Sequence, residues 1–365
     1  MIVSAKPFIK FNYLFKRKIS LTSSPWKNAI FFENGTHALI ASLKLLNLPK
    51  GSKIAIPAYI CNSIPAALRL HEYKPCFFDV PLDLNISSEY LENIFANEDI
   101  AVFLLVDFFG FLSQKNLDTS KYLIKKGYKV IIDRCHSGLS NRDCEKDLIY
   151  SDSIIFSLRK TFNSEDGGAL LTKLPNKYKD LTNKGSNRNL FIFLRLVEAL
   201  ICKLGWPNIY SPFFDSNKNK YYREDAHINE SHKPSQYLLS QISDLTNINN
   251  VSMLRIQNFN GLSKIFRKHS IKLLFNELDD STIPQVIPVI DDSKLKSRLK
   301  MSGIGAYSWP GNEMDDYIIQ HPSIFPNAIE LNKKILCIPT HQSIKKRDIA
   351  YIDKKLINWN LDHNE

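Results

Sequence analysis

Ser157-Leu-Arg-Lys-Thr-Phe-Asn-Ser-Glu-Asp-Gly-Gly168 is a polar segment between two short apolar runs, Asp152–Phe156 and Ala169–Leu171. Bounded apolar runs of this length are typical of buried strands, so we expect the polar segment to form a loop at the edge of a sheet. Its single lysine, Lys160, lies close to the end of the first strand. A shielded lysine can lose its proton and attack a carbonyl, although a lone lysine is more often a solvated surface residue.

A second apolar run, Tyr128–Ile132, ends in Asp133, and His136 follows three residues later. A side chain at the carboxyl end of a parallel strand faces the crevice where α/β proteins bind ligands. Asp133 and Lys160 therefore form the pair that pyridoxal phosphate requires, because a lysine binds the aldehyde carbon and an acid keeps the ring nitrogen protonated. The alternative for Asp133 is a helix cap or a turn.

A third site begins at Asn34, where Gly35, Thr36 and His37 open a segment with apolar residues at helical spacing. The free N–H groups and the hydroxyl at such a helix start suit a phosphate. Taken alone the segment is an ordinary helix cap. Together with the aspartate and the lysine it predicts a phosphate cradle that acts largely through backbone N–H groups.

These motifs resemble the DegT/DnrJ/EryC1/StrS family of sugar aminotransferases, which are fold type I pyridoxal-phosphate enzymes. The family has a Gly-Thr helix start, a Pro-rich turn after a strand, a strand ending in Asp-x-x-Gln/His, and a lysine shortly before Gly-Gly. The matching residues here are Gly35-Thr36, Pro57-Ala-Tyr59, Asp133-Arg-Cys-His136, Lys160 with Gly167-Gly168, Ser308-Trp-Pro310 and Leu336-Cys-Ile-Pro339-Thr-His341. The resemblance runs from about residue 28 to the end, apart from one divergent insert.

The resemblance implies an α/β fold with a mostly parallel sheet wrapped by helices and a small C-terminal α+β domain. Alternating strand and helix patterns between residues 36 and 133 favour the same sheet. We expect a basic N-terminal arm at residues 1–27, a large cofactor-binding domain at 28–234 with the insert at 185–232, and the small domain at 235–365. The patterns also predict a helix at Ser120–Lys126 and one long helix from Pro234 to about Phe266.

The resemblance also implies the roles of the site residues. Lys160 would hold the cofactor and move the proton between cofactor and substrate. Asp133 would pair with the pyridine nitrogen, and His136 would contact the ring or its 3′-oxygen side. Tyr59 follows a strand by two residues and would stack on the ring, with a core tyrosine as the alternative.

The chain departs from the family pattern near these residues. Ile155 stands where the family has a serine, five residues before the lysine, and Ser157 is the candidate substitute. His37 stands where the family usually has a small residue. Asp107 replaces a common histidine, and we assign it no role. Arg159, beside the lysine, would lower the lysine's pKa by charge repulsion or bind an anionic substrate.

The resemblance implies that a homodimer transfers an amino group from glutamate or glutamine to a keto-sugar nucleotide, for lipopolysaccharide, capsule or glycoside assembly. Some relatives that carry a histidine in place of the lysine are dehydratases, and Lys160 argues against that branch. Two alternatives remain open: a pyridoxal-phosphate enzyme with a non-sugar substrate, and a non-catalytic scaffold or sensor that kept the fold. Asn229 is the nearest candidate for the family's cross-subunit phosphate ligand.

Composition fits a protein of this kind. The 365 residues are enough for two domains, and a formal charge of +11 suggests an anionic partner. No zinc spacing or nucleic-acid motif is visible, so we expect no nucleic-acid partner and no metal. The six cysteines form no CxxC pair, which suggests reduced thiols in the cytoplasm. The basic, aromatic N-terminal arm is expected to lie on the body or on a dimer mate, with membrane-surface contact as the less favoured alternative.

Overall fold

The computed structural model of the protein describes residues 1–14, 20–140, 142–175, 188–204, 234–291 and 294–361. The strands are β1 (Ile30–Phe32), β2 (Lys53–Pro57), β3 (Lys74–Phe78), β4 (Ile100–Val106), β5 (Lys129–Arg134), β6 (Ser153–Ser157), β7 (Gly168–Thr172), β8 (Val286–Ile290), β9 (Tyr307–Ser308) and β10 (Ile335–Pro339). The helices are α1 (Gly35–Leu45), α2 (Ser63–Leu70), α3 (Ser88–Ile94), α4 (Gln114–Lys125), α5 (Cys144–Asp147), α6 (Leu158–Phe162), α7 (Arg188–Leu204), α8 (Gln236–Ile242), α9 (Leu245–Lys268), α10 (Leu295–Met301), α11 (Asp316–Gln320), α12 (Pro326–Lys334) and α13 (Lys346–Leu361).

The first seven strands form one sheet in the order β1-β7-β6-β5-β4-β2-β3. Strands β2 to β6 pair in parallel, whereas β7 is antiparallel to both β6 and β1. The predicted, mostly parallel sheet is therefore present. Because β4, β5 and β6 are parallel neighbours, their carboxyl ends lie along one edge, and the residues that follow them are brought together there.

The central strands are buried on both faces, as expected for parallel strands covered by helices. In β6 every residue is buried, and in β5 only Lys129 is exposed. Helix α1 begins after Asn34, whose side chain accepts a hydrogen bond from the backbone of His37. Its residues from Gly35 to Leu43 are all buried, so this helix packs inside the domain.

Two helix predictions were wrong in their limits. The helix expected at Ser120–Lys126 begins earlier, at Gln114, because the hydroxyl of Ser113 caps it by accepting from the Asn116 backbone. The long helix expected from Pro234 is two helices, α8 and α9. Asp244 lies between them in an extended conformation and caps α9 through the Asn247 backbone, which starts a new helix axis.

A second sheet, in the C-terminal half of the chain, is antiparallel with the order β8-β10-β9. The N-terminal arm lies against this half. Val3 forms a parallel bridge with Ile304, and the hydroxyl of Tyr13 donates to Asp244 over 3.0 Å. Within residues 1–14 the arm therefore contacts the body of its own chain, the first of the two expected placements.

The insert at 185–232 is described only in α7. There Arg195 and Glu198 form an ion pair one turn apart. Phe193, Leu200 and Leu204 are exposed. Asn229 lies outside the described residues. Within the described part, no helix combines the length and apolar character needed to cross a membrane.

A tight turn after β4 joins the two sheets. Phe109 has a positive φ of 60°, and its carbonyl accepts from the Gln285 backbone N–H over 2.8 Å. The next residue, Gly110, has φ +95°, and a Cβ atom there would lie 2.4 Å from the Gln285 nitrogen and 2.7 Å from the Ile283 oxygen. Only glycine allows both this backbone conformation and this approach.

Replacing Gly110 with alanine should destabilise the protein more than replacing Gly127. Gly127 has a similar φ of +91°, but a Cβ atom there would meet nothing within 4 Å. Gly127→Ala should therefore cost only the conformational strain of about 1–2 kcal/mol. Gly110→Ala should cost about 3 kcal/mol or more, because the backbone of the Gln285 segment must also move. Urea unfolding of the two variants beside the wild type measures the difference, and equal losses would contradict the close approach.

Candidate functional site

Lys160 lies on a short helix, not on the predicted loop. Strand β6 ends at Ser157, α6 follows directly, and Asn163 closes it in the left-handed conformation, with φ 51° and ψ 50°. Leu158 and Phe162 are both buried on this helix. Their spacing of four residues, followed by an asparagine, was the sequence signal for one helical turn, and the prediction of a loop overlooked it.

Asp133 lies on the neighbouring strand, where it pairs in register with Ile155 of β6. Its carboxylate is buried and accepts a hydrogen bond from the Cys135 backbone over 2.7 Å. Burial raises the pKa of Asp133, while this hydrogen bond and the positive charge of Lys160 act in the opposite direction. The charge of the lysine therefore acts on the aspartate across the strand ends.

The side chain of Lys160 is half-buried. It also acts on His136, because burial first and the lysine charge second hold the pKa of that imidazole well below its usual value. Among the described residues, Lys160 has no hydrogen-bond or ion-pair partner. Within the described part of the chain, its amine is therefore available to a ligand at this edge of the sheet.

The predicted phosphate cradle contains a close approach at Gly35. A Cβ atom at this position would lie 2.4 Å from the sulfur of Cys135 and 3.4 Å from the Cβ of Ser157. The start of α1 is thus packed directly against the ends of β5 and β6. Of the three N–H groups expected to hold a phosphate, that of His37 already donates to Asn34 over 3.0 Å, which leaves those of Gly35 and Thr36.

Ser157 ends β6 beside this cradle. Its hydroxyl is buried and has no hydrogen-bond partner among the described residues. A buried hydroxyl without a partner costs about 1–3 kcal/mol, so such a group in a native protein calls for an explanation. The prediction that Ser157 takes over the task of the serine replaced by Ile155 is consistent with this position.

His37 is buried in the first turn of α1, and its Nδ1 lies 3.9 Å from a carboxylate oxygen of Glu33. Its side chain therefore lies near an acid on the preceding turn of chain. The predicted role of His37 was to hold a phosphate through its backbone N–H. That N–H donates instead to the side chain of Asn34, which caps the helix.

His136 is held in one orientation by the turn after β4. Its Nδ1 accepts a hydrogen bond from the Phe109 N–H over 3.3 Å, and its ring stacks on that of Phe109. The indole of Trp309 packs edge-on against the same imidazole, with ring centres 4.6 Å apart. With Nδ1 as acceptor and a lowered pKa, the imidazole is neutral and carries its hydrogen on Nε2.

Tyr59 lies in the same aromatic group but is fully buried. Its hydroxyl donates to the carbonyl of Trp309 over 2.5 Å, and its ring contacts those of Phe108, Phe109 and Trp309. This placement fits the alternative of a core tyrosine that joins the two halves of the chain. Stacking of Tyr59 on a cofactor ring stays a prediction.

Asp107 has a structural partner that the sequence did not reveal. Its carboxylate accepts from Arg134 over 3.0 Å, and the same guanidinium donates to Asp147 over 2.6 Å. All three side chains are buried. Burial alone would lower the pKa of Arg134, but the neighbouring Asp107, Cys144 and Asp147 raise it above its ordinary value. A charged residue directly after Asp133 in an apolar strand was the signal for this buried ion cluster.

Residues 12–191 match the model of the DegT/DnrJ/EryC1/StrS aminotransferase family. No curated protein matches the chain. Among solved structures, the PLP-form of the putative sugar aminotransferase Spr1654 from Streptococcus pneumoniae is similar, with a TM-score of 0.66 and 13% identity over 97% of this chain and 97% of that one.

Two further structures are similar. A DegT DnrJ EryC1 StrS aminotransferase from Brucella abortus has a TM-score of 0.63 and 17% identity over 91% of this chain and 85% of that one. NtdA from Bacillus subtilis, with bound PMP, has a TM-score of 0.62 and 17% identity over 90% of this chain and 72% of that one. At these identities the likeness shows the fold alone, and the predicted fold type I architecture is confirmed.

Replacing His136 with glutamine should weaken the pH dependence of stability in mild acid. The folded pKa of His136 is depressed, so the stability it contributes is complete above about pH 6.5 and is lost as the pH falls. In His136→Gln, the slope of unfolding free energy between about pH 6 and 5 should fall by about 1 kcal/mol per pH unit. Denaturant titrations at several pH values measure this slope, and an unchanged slope would contradict a neutral, buried imidazole.

Proposed function

We propose that the protein transfers an amino group from glutamate or glutamine to a keto-sugar nucleotide, because residues 12–191 match the model of the DegT/DnrJ/EryC1/StrS aminotransferase family. This match supports the predictions of an aminotransferase and of pyridoxal phosphate as its cofactor. The amino donor, the nucleotide, the homodimer, and a place in lipopolysaccharide, capsule or glycoside assembly belong to the proposal. One observation carries it: Asp133 at the end of β5 and Lys160 just after the end of β6 lie on neighbouring parallel strands, whose ends pack against the glycine cradle.

The residues present fit pyridoxal phosphate. The cradle at Gly35 has no room for a Cβ atom, and the buried hydroxyl of Ser157 lacks a partner among the described residues, as a phosphate-binding group would without its ligand. Asp133 is buried, and a positively charged ring nitrogen would offset the cost of keeping its carboxylate ionised. Lys160 is the one amine of the segment and is available at the same edge.

When bound, pyridoxal phosphate supplies an electron sink that lets an amino group move between carbon skeletons. Lys160 would hold the cofactor and would carry a proton between it and the substrate carbon. Asp133 would pair with the ring nitrogen. His136 is a donor at Nε2, because its Nδ1 is occupied by Phe109, so it suits an oxygen substituent of the ring.

The substrate side of the proposal rests on charge. The formal charge of +11 favours an anionic substrate such as a sugar nucleotide. Arg159 is half-buried next to the lysine, where it would bind a substrate phosphate or carboxylate. A non-sugar amino acceptor is the second candidate, and the same charge would serve any anionic ketone.

The deciding experiment is the visible absorbance of the purified protein with added pyridoxal phosphate, beside Lys160→Ala and the surface control Lys115→Ala. The wild type and the control should show the yellow band of a lysine-bound cofactor, and Lys160→Ala should not. Glutamate or glutamine should bleach the band, and a keto-sugar nucleotide should restore it.

Each other outcome has a distinct meaning. A band that bleaches but is restored only by non-sugar ketones would favour the second candidate. No band in the wild type would contradict an aminotransferase and favour a scaffold or sensor.

Removing the Ser157 hydroxyl should weaken cofactor binding. Ser157→Ala should raise the dissociation constant of pyridoxal phosphate by about tenfold, the effect of one hydrogen bond to a charged group. Ser42→Ala is a matched control, because this serine is also buried with an unpaired hydroxyl but lies two turns further along α1. Fluorescence titration with the cofactor measures both constants, and equal values for the two variants would remove Ser157 from the cradle.

A further inference from the structure

Helix α6, which carries Lys160, is too short to be stable alone. It has five residues, and no side chain caps its first turn. Isolated helices of this length do not persist in water, because the first turn orders several residues for one hydrogen bond. Its conformation therefore depends on bonds from other parts of the chain. At its start, the Leu158 N–H donates to the Gly167 carbonyl over 2.6 Å.

The carbonyl end of α6 is held by side chains from the C-terminal half. Gln241 of α8 donates to the Phe162 carbonyl over 3.3 Å. The Thr161 carbonyl, directly after the lysine, accepts from Gln342 over 3.2 Å and from Arg255 of α9 over 3.1 Å. A guanidinium at a helix carbonyl end is favourable, since those carbonyls carry partial negative charge.

Arg255 is an unusual buried cation. Its side chain is 2% exposed, and in the described part of the chain it has no carboxylate partner. Burial lowers its pKa to about 10, so it stays charged at neutral pH. Buried charges are normally paired with opposite charges, but here the partners are backbone carbonyls: that of Thr161, and those of Pro284 at 3.3 Å and Gln285 at 3.1 Å.

These carbonyls connect Arg255 to a second site residue. The Gln285 N–H donates to the Phe109 carbonyl over 2.8 Å, and the Phe109 N–H donates to His136. The guanidinium of Arg255 thus hydrogen-bonds directly to the helix of Lys160. Through Gln285 it also supports the turn that orients His136. The side chains of Gln241 and Gln342 donate hydrogen bonds to the carbonyls of α6 but not to those of Pro284 or Gln285.

We infer that Arg255 is a positioning residue that fixes Lys160 and His136 relative to each other across the cofactor site. A role in cofactor positioning rests on the proposed function. The contacts that Arg255 makes with the two segments can be tested in the cofactor-free protein. Among the described residues, the hydrogen bonds of Arg255 all go to backbone carbonyls. No other described side chain hydrogen-bonds both to α6 and to the Pro284-Gln285 segment.

The test compares Arg255→Met, which removes every donor, with Arg255→Lys, which keeps the charge and one donor group. Arg69→Met is the control. Arg69 also joins the two halves of the chain, since it makes two hydrogen bonds to Asp315. It lies on α2, and its partner is the residue before α11, so it contacts neither of the two segments tested. Hydrogen exchange of the cofactor-free protein is followed in peptides covering residues 158–163 and 108–111. The pH profile of the bound-cofactor absorbance is then recorded for the same proteins.

Arg255→Met should speed exchange about tenfold in both peptides. In residues 158–163 it removes the charge-assisted hydrogen bond to Thr161, and in residues 108–111 it releases Gln285, whose N–H donates to the Phe109 carbonyl. It should also move the midpoint of the pH profile by about one unit, since the charges around the lysine are no longer fixed in place. Arg255→Lys should restore part of both effects, and Arg69→Met should show neither.

Unchanged exchange in both peptides of Arg255→Met, with an unchanged pH midpoint, would overturn the inference. If Arg255→Met does not fold, Arg255→Lys decides, and failure of both to fold would show a global structural role and also overturn it. If the wild type binds no pyridoxal phosphate, the proposed function is wrong. The exchange experiment would still show whether Arg255 stabilises the two segments.

Discussion

The whole site depends on the close packing of the first turn of α1 against the ends of β5 and β6. Gly35 allows this contact, because a side chain there would overlap the sulfur of Cys135. The contact brings a helix start, a strand-end acid and the lysine segment to one place, although the helix start lies about a hundred residues before the other two in the chain. Parallel strand pairing places the acid and the lysine segment at one edge of the sheet. The lack of a side chain at Gly35 lets the helix start approach that edge closely.

The fold and the placement of the three motifs could be predicted from the sequence because they depend on local patterns. Apolar runs ending in Asp133 and Ser157 mark strand ends, and a Gly-Thr pair before a helical pattern marks a helix start. Parallel order then follows from alternation of strands and helices. The limits of helices were less certain, since Ser113 and Asp244 act as caps only in combination with the residues three positions further on.

The sequence could not reveal contacts that depend on tertiary packing. Asp107 and Asp147 are forty residues apart and meet only at Arg134. Tyr59 follows a strand as a ligand-stacking residue would, yet its hydroxyl bonds to Trp309, 250 residues later. Arg255 gives no signal at all, because one arginine on a long polar helix resembles any surface cation until its burial is known.

The N-terminal arm has a consequence for the order of folding. Val3 pairs with Ile304, and the carbonyl of Pro7 accepts from Asn163, the residue that closes the helix of Lys160. During synthesis the bridge of Val3 can form only after Ile304 has been made, about three hundred residues later, whereas Pro7 can meet Asn163 after about half that length of chain. The contact beside the helix of Lys160 can therefore form before the bridge to the C-terminal half.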